Sequence, residues 1–489
     1  MRIVIVGDTL LDRDVHGTVT RIAPDAPAPV LDEETVHERP GGAGLAALLA
    51  AAHGHEVALV TAIATDAAGA RLNELLTAAG VEVYALPLPG ATPEKIRLRA
   101  AGQVLLRLDR GGPPQPPGEA PAAVLELLRD ATAILVSDYG RGVARHPELR
   151  AAIEASKAPV VWDPHPNGPS PVPNVRLVTP NEGEARRLSG DAGHGSGLST
   201  AQRAGHTLRQ RWQAGAVVVT RGAEGAVLCQ GSPTPLVVPV PETSGGDTCG
   251  AGDAFATAAA VALANGALVS EAVAAAVDAA SRYVAGTGGI AELKGQNGHG
   301  AHAGGPGANG RGPGAAGPGR AGRGPGAGRQ RTVGDGPERI GADEAGRLAA
   351  EVHARGGTVV ATGGCFDLLH TGHLATLRAA RALGDCLIVC LNSDDSVRRL
   401  KGEGRPLTHQ DDRSRLLAAL DCVDAVVVFD EPTPEPVLTW LRPDVWVKGG
   451  DYDTLPETEV VQRWGGQTVI VPYLDGRSTT KTIAEARRR

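Results

Sequence analysis

The sequence of 489 residues predicts two α/β domains joined by a disordered linker. Its length is about three times that of a typical domain, so more than one folded unit is expected. Short runs of Val, Ile and Leu alternate with alanine-rich stretches before residue 295 and again after residue 334. This alternation is typical of a sheet with helices on both faces. The segment between them, 295–334, contains sixteen glycines and no acidic residue.

The first domain is predicted to begin with a buried strand, because residues 3–6 are all Ile or Val. Its other predicted strands lie at 57–60, 133–136, 160–162 and 217–220, and its helices at 46–52, 69–79, 120–129, 200–212 and 253–265. In the second domain, strands are predicted at 358–362, 386–391, 425–428, 445–448 and 467–471, with helices that start at 373 and 411. Open sheets of this kind bind ligands beyond the carboxyl ends of their strands.

The glycine-rich segment is too poor in apolar side chains to offset the entropy of ordering it. We therefore predict domains at 1–291 and 338–489, and a disordered linker rich in Gly, Ala, Pro and Arg at 292–337. Its five arginines could also attract RNA, which remains an alternative to a solvated tether.

The composition of the chain predicts a cytoplasmic protein that binds neither nucleic acid nor membrane. The formal net charge is −7, which disfavours partners that are themselves anionic. No apolar run reaches the ~18 residues of a membrane span, and Asp8 and Asp12 stand where a signal peptide needs an apolar core. The six cysteines lack any CxxC spacing, which indicates reduced, buried thiols.

The first chemical motif is Gly250-Ala-Gly-Asp253, directly before an alanine-rich helix. Backbone N–H groups at such a helix start can bind an anion. The Asp253 carboxylate suits proton abstraction from an attacking hydroxyl better than phosphate binding. Taken alone, the motif could equally be a glycine turn followed by an acidic residue. The chain has no Gly-Lys dipeptide and therefore no Walker A motif.

The wider motifs resemble the ribokinase family of sugar kinases over residues 1–291. They are DTCGAGDAF around Asp253, PGGAGLAA at 40–47, VTPNEGE at 178–184 and VTRGAEG at 219–225. Similarity to the heptose-phosphate kinase branch comes from VGDTLLDR at 6–13, RIAPDAP at 21–27, ERPGG at 38–42, LLRLD at 105–109 and SDYGRG at 137–142. This resemblance implies a three-layer α/β/α domain with a small β lid.

The same resemblance implies roles for individual residues. Asp253 would be the catalytic base, and Gly250, Ala251 and Gly252 would form the anion hole for the transferred phosphoryl group. Asn181, Glu182, Gly183 and Glu184 would lie near the nucleotide and its Mg²⁺, and Asp247 in a loop that binds a monovalent cation such as K⁺. The sugar cleft would be lined by Asp12, Gly41, Gly42 and Asp138.

One position departs from the family pattern. Leu45 stands where these kinases usually have a sugar-binding Asn. Leucine cannot hydrogen-bond a hydroxyl, so either the grip on the substrate differs or Leu45 only packs the helix.

In the second domain, the motif Thr362-Gly-Gly-Cys-Phe-Asp-Leu-Leu-His-Thr-Gly-His-Leu374 follows a predicted strand and opens a helix. His370 and His373 can donate hydrogen bonds to a phosphoryl group there. A metal site, which would need a third ligand, and a structural pair of capping histidines are the alternatives. Lys401 and Lys448, two of only six lysines, are placed to bind triphosphate oxygens or to be solvated surface residues.

The motif resembles the HxGH signature of the nucleotidyltransferase superfamily. Further similarity lies in LNSDDSVRRLKGEGRP at 391–406, DDRSRLLAALDCVD at 411–424, LRPDVWVKGGDY at 441–452 and DGRSTTKTI at 475–483. This implies a Rossmann-like domain whose nucleotide is bound by Phe366, Lys401, Arg405, Lys448, Ser478 and Thr479. Glycerol-3-phosphate cytidylyltransferases are more distant relatives.

The order of kinase, linker and HxGH domain resembles the bifunctional heptose 7-phosphate kinase/heptose 1-phosphate adenylyltransferases. That family implies two ATP- and Mg²⁺-dependent steps of ADP-heptose synthesis, with a separate phosphatase acting between them. A homodimer formed through the kinase domain is a further implication. The alternatives are another sugar phosphate, with CTP in the second step, or a sugar-phosphate-binding scaffold whose kinase half is inactive.

Overall fold

The computed structural model describes residues 1–191, 197–240, 246–286, 340–450 and 455–472. The predicted linker at 292–337 lies outside the described residues. No helix within the described ranges combines the length and the apolar composition needed to cross a membrane.

The N-terminal part contains a large sheet, a small sheet and helices. Its strands are β1 (Arg2–Gly7), β2 (Thr9–Ile22), β3 (Pro29–Gly42), β4 (Glu56–Ile63), β5 (Val81–Pro87), β6 (Glu94–Ala100), β7 (Gln103–Arg110), β8 (Ala133–Ser137), β9 (Val160–Asp163), β10 (Leu177–Val178), β11 (Val217–Thr220), β12 (Ala226–Cys229) and β13 (Leu236–Val238). Its helices are α1 (Ala43–Ala52), α2 (Ala67–Ala78), α3 (Ala122–Arg129), α4 (Pro147–Ala155), α5 (Glu182–Ser189), α6 (Gly197–Trp212), α7 (Ala251–Ala264) and α8 (Val269–Ala285), with 3-10 turns at Val143–Arg145 and Gly222–Glu224.

The large sheet is the centre of this domain, in the order β13-β12-β11-β10-β9-β8-β1-β4-β5. Pairing is parallel from β11 to β5, and β12 and β13 are antiparallel. Both faces are buried: in β1, Val4 and Val6 belong to one apolar cluster and Ile3 and Ile5 to another. Burial on both faces explains why these strands are continuous apolar runs rather than alternating ones.

The small sheet forms a lid, in the order β3-β2-β6-β7. β2 pairs antiparallel with β3 and parallel with β6, and β6 pairs antiparallel with β7. Every residue of β7 is exposed. Charged residues interrupt β2, β3 and β6, so these strands lack the buried apolar runs by which the other strands were predicted, and the apolar residues 104–106 of β7 are exposed.

The C-terminal part repeats the α/β arrangement on a smaller scale. Its elements are α9 (Ala342–Ala354), β14 (Val359–Gly364), α10 (Thr371–Arg381), β15 (Cys386–Asn392), α11 (Asp394–Lys401), α12 (Gln410–Ala418), β16 (Ala425–Phe429), α13 (Glu435–Leu441), β17 (Val445–Gly449), α14 (Glu457–Gln462) and β18 (Gln467–Val471). The parallel order β16-β15-β14-β17-β18 is that of a doubly wound sheet: successive strands are added on one side of β14 and then, from β17, on its other side.

The large sheet of the N-terminal part and the sheet of the C-terminal part pair edge to edge. β13 pairs with β18, with Leu236 opposite Ile470, and the N–H of Ile470 donates to the Pro235 carbonyl at 3.0 Å. The side-chain amide of Gln467 also donates to that of Gln202 at 3.3 Å.

The predicted α/β fold is confirmed. Every predicted strand and helix is present, with ends within about three residues of those in the structure. All six cysteines are free. Four of them are buried, but Cys249 is exposed and Cys365 is half-buried, so the prediction of buried thiols is wrong for these two.

Candidate active sites of the two domains

The predicted base of the first domain, Asp253, is the third residue of α7 and is 4% exposed. Gly250 caps this helix, and Ala251 and Gly252 begin it. The first N–H groups of a helix have no partner within it and can bind an anion. The carboxylate therefore stands beside N–H groups suited to a phosphoryl group.

Tyr139 contacts Asp253 directly. Its hydroxyl donates to the two carboxylate oxygens, at 2.8 and 3.0 Å. Burial raises the pKa of Asp253 to about 7, while this hydrogen bond and the charge of Lys95 act in the opposite direction. A carboxylate of this pKa can accept a proton near neutral pH.

The loop before α7 needs glycine at position 250. Its φ is +88°, and a Cβ there would lie 2.6 Å from the Tyr283 hydroxyl and 2.7 Å from Cδ2 of Leu45. The Tyr283 hydroxyl donates to the Cys249 carbonyl at 3.1 Å. Leu45 is 5% exposed and packs in an apolar cluster with Leu49 and Tyr283. The Leu45 side chain therefore packs against the loop at Gly250, which agrees with the alternative that Leu45 is a packing residue.

The predicted sugar-cleft residues gather between the lid and the large sheet. Asp12, in β2, forms an ion pair with Arg97 at 2.9 Å, and a Cβ on Gly41 would lie 2.4 Å from its Oδ2 atom. Gly42 has a φ of +63°. Burial raises the pKa of Asp138 to about 7, and its Oδ2 atom has no hydrogen-bond partner among the described residues.

A cavity of about 220 Å³ adjoins these residues. Four cationic side chains and two carboxylates line it, together with Tyr139 and other residues. The carboxylates are partly neutralised, because Asp109 pairs with Arg107 at 2.8 Å and Glu94 with Arg110 at 3.7 Å. Lys95 forms no ion pair within the described ranges and lies 5.5 Å from the Tyr139 ring centre. The full lining is Leu10, Pro93, Glu94, Lys95, Arg107, Asp109, Arg110, Tyr139, Arg141 and His165.

A second cavity, of about 200 Å³, lies on the other side of the α7 N-terminus. It is mostly apolar and is bounded by the turn after β11, the start of α7 and the inner face of α8. An apolar site that ends at a helix N-terminus suits a nucleoside triphosphate. Sequence reasoning assigned no residues to its apolar wall, although the VTRGAEG motif marks one side of it. That wall includes Gly222, Ala223, Gly225, Val240, Phe255, Val277, Ala280 and Val284.

The predicted nucleotide residues at 181–184 form the start of α5. Asn181 and Glu184 cap each other, each side chain accepting the other's backbone N–H at 2.9 Å. Asn181 also pairs with Thr220 in an isolated parallel β-bridge, and Thr220 lines the second, apolar cavity. Burial raises the pKa of Glu184, and its capping bond uses only Oε2, so the other oxygen fits a hard cation such as Mg²⁺. Gly183 is exposed, and the Glu182 carboxylate lies 3.8 Å from Arg221.

Asp163 is a carboxylate that sequence reasoning missed. It ends β9 and accepts the Thr179 hydroxyl at 2.7 Å. Burial, with Asp253 and Glu184 nearby, raises its pKa well above the usual range. Its place at the carboxyl end of a predicted strand was the available signal. The exposed Asp247, predicted for the cation loop, accepts the N–H of Cys249 at 3.0 Å.

In the second domain, the HxGH motif connects β14 to α10. His370 caps α10, and its ring stacks on that of His373 with 3.9 Å between centroids. Phe366, also predicted to contact the nucleotide, lies 5.3 Å from the His373 ring. Burial, together with the neighbouring His370 and the charge of Lys401, lowers the pKa of His373 to about 4, so this ring is neutral at physiological pH. The pair stands at the N-terminus of α10, at the point where the order of the strands in the sheet reverses.

The predicted basic residues lie around this motif. The ammonium group of Lys448 lies next to β14. It donates to the Gly363 carbonyl at 3.5 Å and forms an ion pair with Glu457 at 3.6 Å. Arg405 forms an ion pair with the buried Asp367, and its Nη2 atom has no hydrogen-bond partner among the described residues. Lys401 is exposed at the end of α11. Ser478 and Thr479 lie outside the described residues.

Sequence reasoning missed the residue that connects these loops. Arg413 is 1% exposed and pairs with Asp394 at 2.7 Å. It also donates to the carbonyls of Cys365, Asn392 and Thr408. Arg413 therefore fixes the loop of the HxGH motif against those after β15 and before α12. The repeated acids and arginines of DDRSR were the signal.

Comparison with known proteins agrees with this division of the chain. The pfkB family of carbohydrate kinases matches residues 1–294, and the cytidylyltransferase-like family matches residues 361–473. A bifunctional protein HldE from Streptomyces coelicolor is 50% identical over 487 residues, which cover 99% of this chain and 96% of that protein. The chain belongs to the HldE family.

Two more HldE proteins extend this similarity. That of Halorhodospira halophila is 37% identical over 503 residues and that of Azotobacter vinelandii 35% over 493 residues. These matches cover at least 99% of this chain and at least 97% of each relative. Membership of the HldE family confirms the predicted fusion of a carbohydrate kinase with a nucleotidyltransferase, and hence an enzyme with two transferase domains.

Proposed function

We propose that the chain catalyses two steps of ADP-heptose synthesis. In the first, D-glycero-β-D-manno-heptose 7-phosphate is phosphorylated at C1 by ATP to the 1,7-bisphosphate. In the second, heptose 1-phosphate and ATP give ADP-heptose and pyrophosphate. Similarity to HldE proteins along the whole chain supports both steps.

One observation favours a sugar phosphate over a free sugar as the kinase substrate. The cavity next to Tyr139 carries four cationic groups against two carboxylates. Arg107 and Arg110 pair with those carboxylates, whereas Lys95 and Arg141 form no ion pair within the described ranges. Phosphate needs such a site, because its negative charge must be compensated once it leaves water. A neutral sugar would leave Lys95 and Arg141 without a counter-charge.

In the kinase step, we propose that Asp253 accepts the proton of the C1 hydroxyl as its oxygen attacks the γ-phosphorus. The new C1–O–P bond forms while the bond to ADP breaks. The N–H groups of Gly250, Ala251 and Gly252 would stabilise the charge that develops on the transferred group. Asp12 and Asp138 would hold the sugar hydroxyls.

In the second step, a phosphate oxygen of the sugar 1-phosphate attacks the α-phosphorus of ATP, and pyrophosphate leaves. His370 and His373 would donate hydrogen bonds to the reacting phosphate, while Lys401, Arg405 and Lys448 bind the triphosphate. We extend the same role to Ser478 and Thr479.

Mg²⁺ would neutralise triphosphate charge in both steps, with Glu184 as its ligand in the kinase domain. A monovalent cation such as K⁺ near Asp247 belongs to the same proposal. So do a cytoplasmic location, a homodimer through the kinase domain and a separate phosphatase that removes the 7-phosphate between the steps.

The test is to incubate the purified full chain with heptose 7-phosphate and ATP, with and without an added sugar-bisphosphate phosphatase. We expect the 1,7-bisphosphate without phosphatase and ADP-heptose with it. Parallel reactions with fructose 6-phosphate and with CTP in place of ATP measure the competing substrates. Faster turnover of either would replace the substrate assignment, and ATP consumption that Asp253→Asn leaves unchanged would refute the kinase site.

A further inference from the structure

One buried carboxylate holds the loop that carries Tyr139 at three backbone positions. Asp8 follows β1 and is 4% exposed. Its Oδ2 atom accepts the N–H groups of Tyr139 at 3.1 Å and Arg141 at 2.8 Å, and its Oδ1 atom accepts that of Val143 at 3.0 Å. Three hydrogen bonds to a charged acceptor fix the backbone of this loop.

The Tyr139 side chain is confined as firmly as its backbone. A Cβ added to Gly42 would lie 3.3 Å from the ring, so the absent side chain makes room for it. The Lys95 ammonium lies 5.5 Å from the ring centre. The hydroxyl reaches both oxygens of Asp253, at 2.8 and 3.0 Å.

We propose that Tyr139 is a positioning residue for phosphoryl transfer, which orients the Asp253 carboxylate and keeps it in its proton-accepting form. The inference rests on the proposed kinase activity. A carboxylate has about four lone-pair sites, so Asp253 can accept the Tyr139 hydroxyl and the substrate hydroxyl together.

The environment of Asp253 explains why a hydrogen bond from Tyr139 is needed to keep the carboxylate ionised. Burial favours protonated Asp253, and the carboxylate of Asp12 adds to that effect. Tyr139 and Lys95 are the groups that oppose it. Asp163, Cys249 and Tyr283 are further titratable groups near this pair among the described residues.

The tyrosine hydroxyl remains a donor across the working pH range. Burial and the neighbouring Asp253 raise the pKa of Tyr139 well above its usual range. Loss of the hydroxyl would leave burial less opposed and raise the pKa of Asp253 further. A smaller fraction of the enzyme would then carry the base at neutral pH.

The experiment compares the wild-type full chain with Tyr139→Phe by measuring kcat/KM of the kinase step from about pH 5.5 to 9. We expect the acidic limb to move to higher pH by about one unit, the effect of losing a hydrogen bond to a charged group. The rate would fall about tenfold near pH 6 and recover at high pH. The ionisation of the sugar phosphate affects both proteins equally, so it cancels in the comparison.

Tyr84→Phe is the matched control, because its hydroxyl donates to the exposed Glu82, at 2.7 Å, in β5. The cooperative thermal unfolding transition of the kinase domain reports whether each variant is folded, and adenylyl transfer by the same chain measures the amount of intact protein. Coincident pH profiles for Tyr139→Phe and wild type would overturn the proposal. So would an equal loss at every pH, which is what a purely structural role predicts.

A second measurement separates this inference from the choice of substrate. Because the pKa of Asp253 is higher in the folded state than in the unfolded state, the free energy of unfolding falls as pH rises and levels off above the folded-state pKa. In Tyr139→Phe this fall should continue to a pH about one unit higher. The thermal unfolding midpoint as a function of pH reports it without any substrate. This shift in a protein that lacks heptose kinase activity would support the role of Tyr139 and refute the substrate assignment. Its absence would overturn the role of Tyr139.

Discussion

Replacing Asp253 by asparagine should make the kinase domain more stable and almost inactive. Asparagine has the same shape and can still accept the Tyr139 hydroxyl, but it cannot accept a proton. Removing a general base costs about 10²–10⁴ in rate. Adenylyl transfer by the second domain should persist, because its candidate site shares no residue with the first.

The stability change follows from the pKa of the buried carboxyl group. Burial raises that pKa from 3.8 to about 7. A difference of ~3 units between unfolded and folded states corresponds to ~4 kcal/mol. The ionisation of Asp253 lowers the free energy of unfolding of the wild-type domain. This destabilisation is absent below about pH 4, grows between pH 4 and 7, and is complete above about pH 7. The neutral amide of the Asp253→Asn variant avoids this cost, so the variant should gain up to ~4 kcal/mol at pH 8 and nothing at pH 4.

The assay is the thermal midpoint of the kinase domain at pH 4, 6 and 8, alongside ADP release with heptose 7-phosphate. At roughly 2 °C per kcal/mol for a domain of this size, we expect a gain of about 8 °C at pH 8. Asp130→Asn, at the exposed end of α3, is the control and should change neither quantity. A gain that is the same at every pH, or a kinase rate within about threefold of wild type, would refute this reasoning.

Three further results are expected. His370→Ala or His373→Ala should lower adenylyl transfer by about 10²–10³ and spare the kinase; bound zinc that disappears in these variants would favour a metal site instead. Gly250→Ala should cost the kinase about 10²-fold by displacing the N–H groups, whereas Gly266→Ala, also at positive φ but with no atom within 4 Å of its Cβ, should not; equal activities would contradict the role of the loop. Residues 1–291 and 338–489, expressed separately, should fold and keep their activities, and limited proteolysis should cut first within 295–334. Insoluble fragments would contradict these domain boundaries.

The sequence predicted best what depends on burial and on glycine geometry. Strands covered on both faces are uninterrupted apolar runs, as in residues 3–6, and these were located closely. Gly250 and the HxGH motif lie at helix starts, where N–H groups are free to bind phosphate. Local residue order specifies such sites, so their position could be predicted before the structure was known.

Contacts between distant segments could not be predicted in this way. Tyr139 and Asp253 are 114 positions apart, and the packing of α7 against β8 and its neighbours brings them together. The exposed strand β7 belongs to the lid through pairing with β6, and its own residues show no burial pattern. Pairing between β13 and β18 likewise depends on the edges of two separate sheets. The sequence predicted only a disordered linker between the domains, and the separate fragments test how much this pairing contributes to the stability of each domain.

The cap at the start of α10 also determines where His370 carries its proton. The Nδ1 atom of His370 accepts the backbone N–H of His373, at 3.4 Å. An imidazole nitrogen that accepts a hydrogen bond bears no hydrogen, so the neutral ring must be the tautomer with its proton on Nε2. The helix start thus selects one of two nearly equal forms of the side chain before any nucleotide arrives. The ring is left with a single donor, on the nitrogen farthest from the backbone, where an incoming phosphate can meet it.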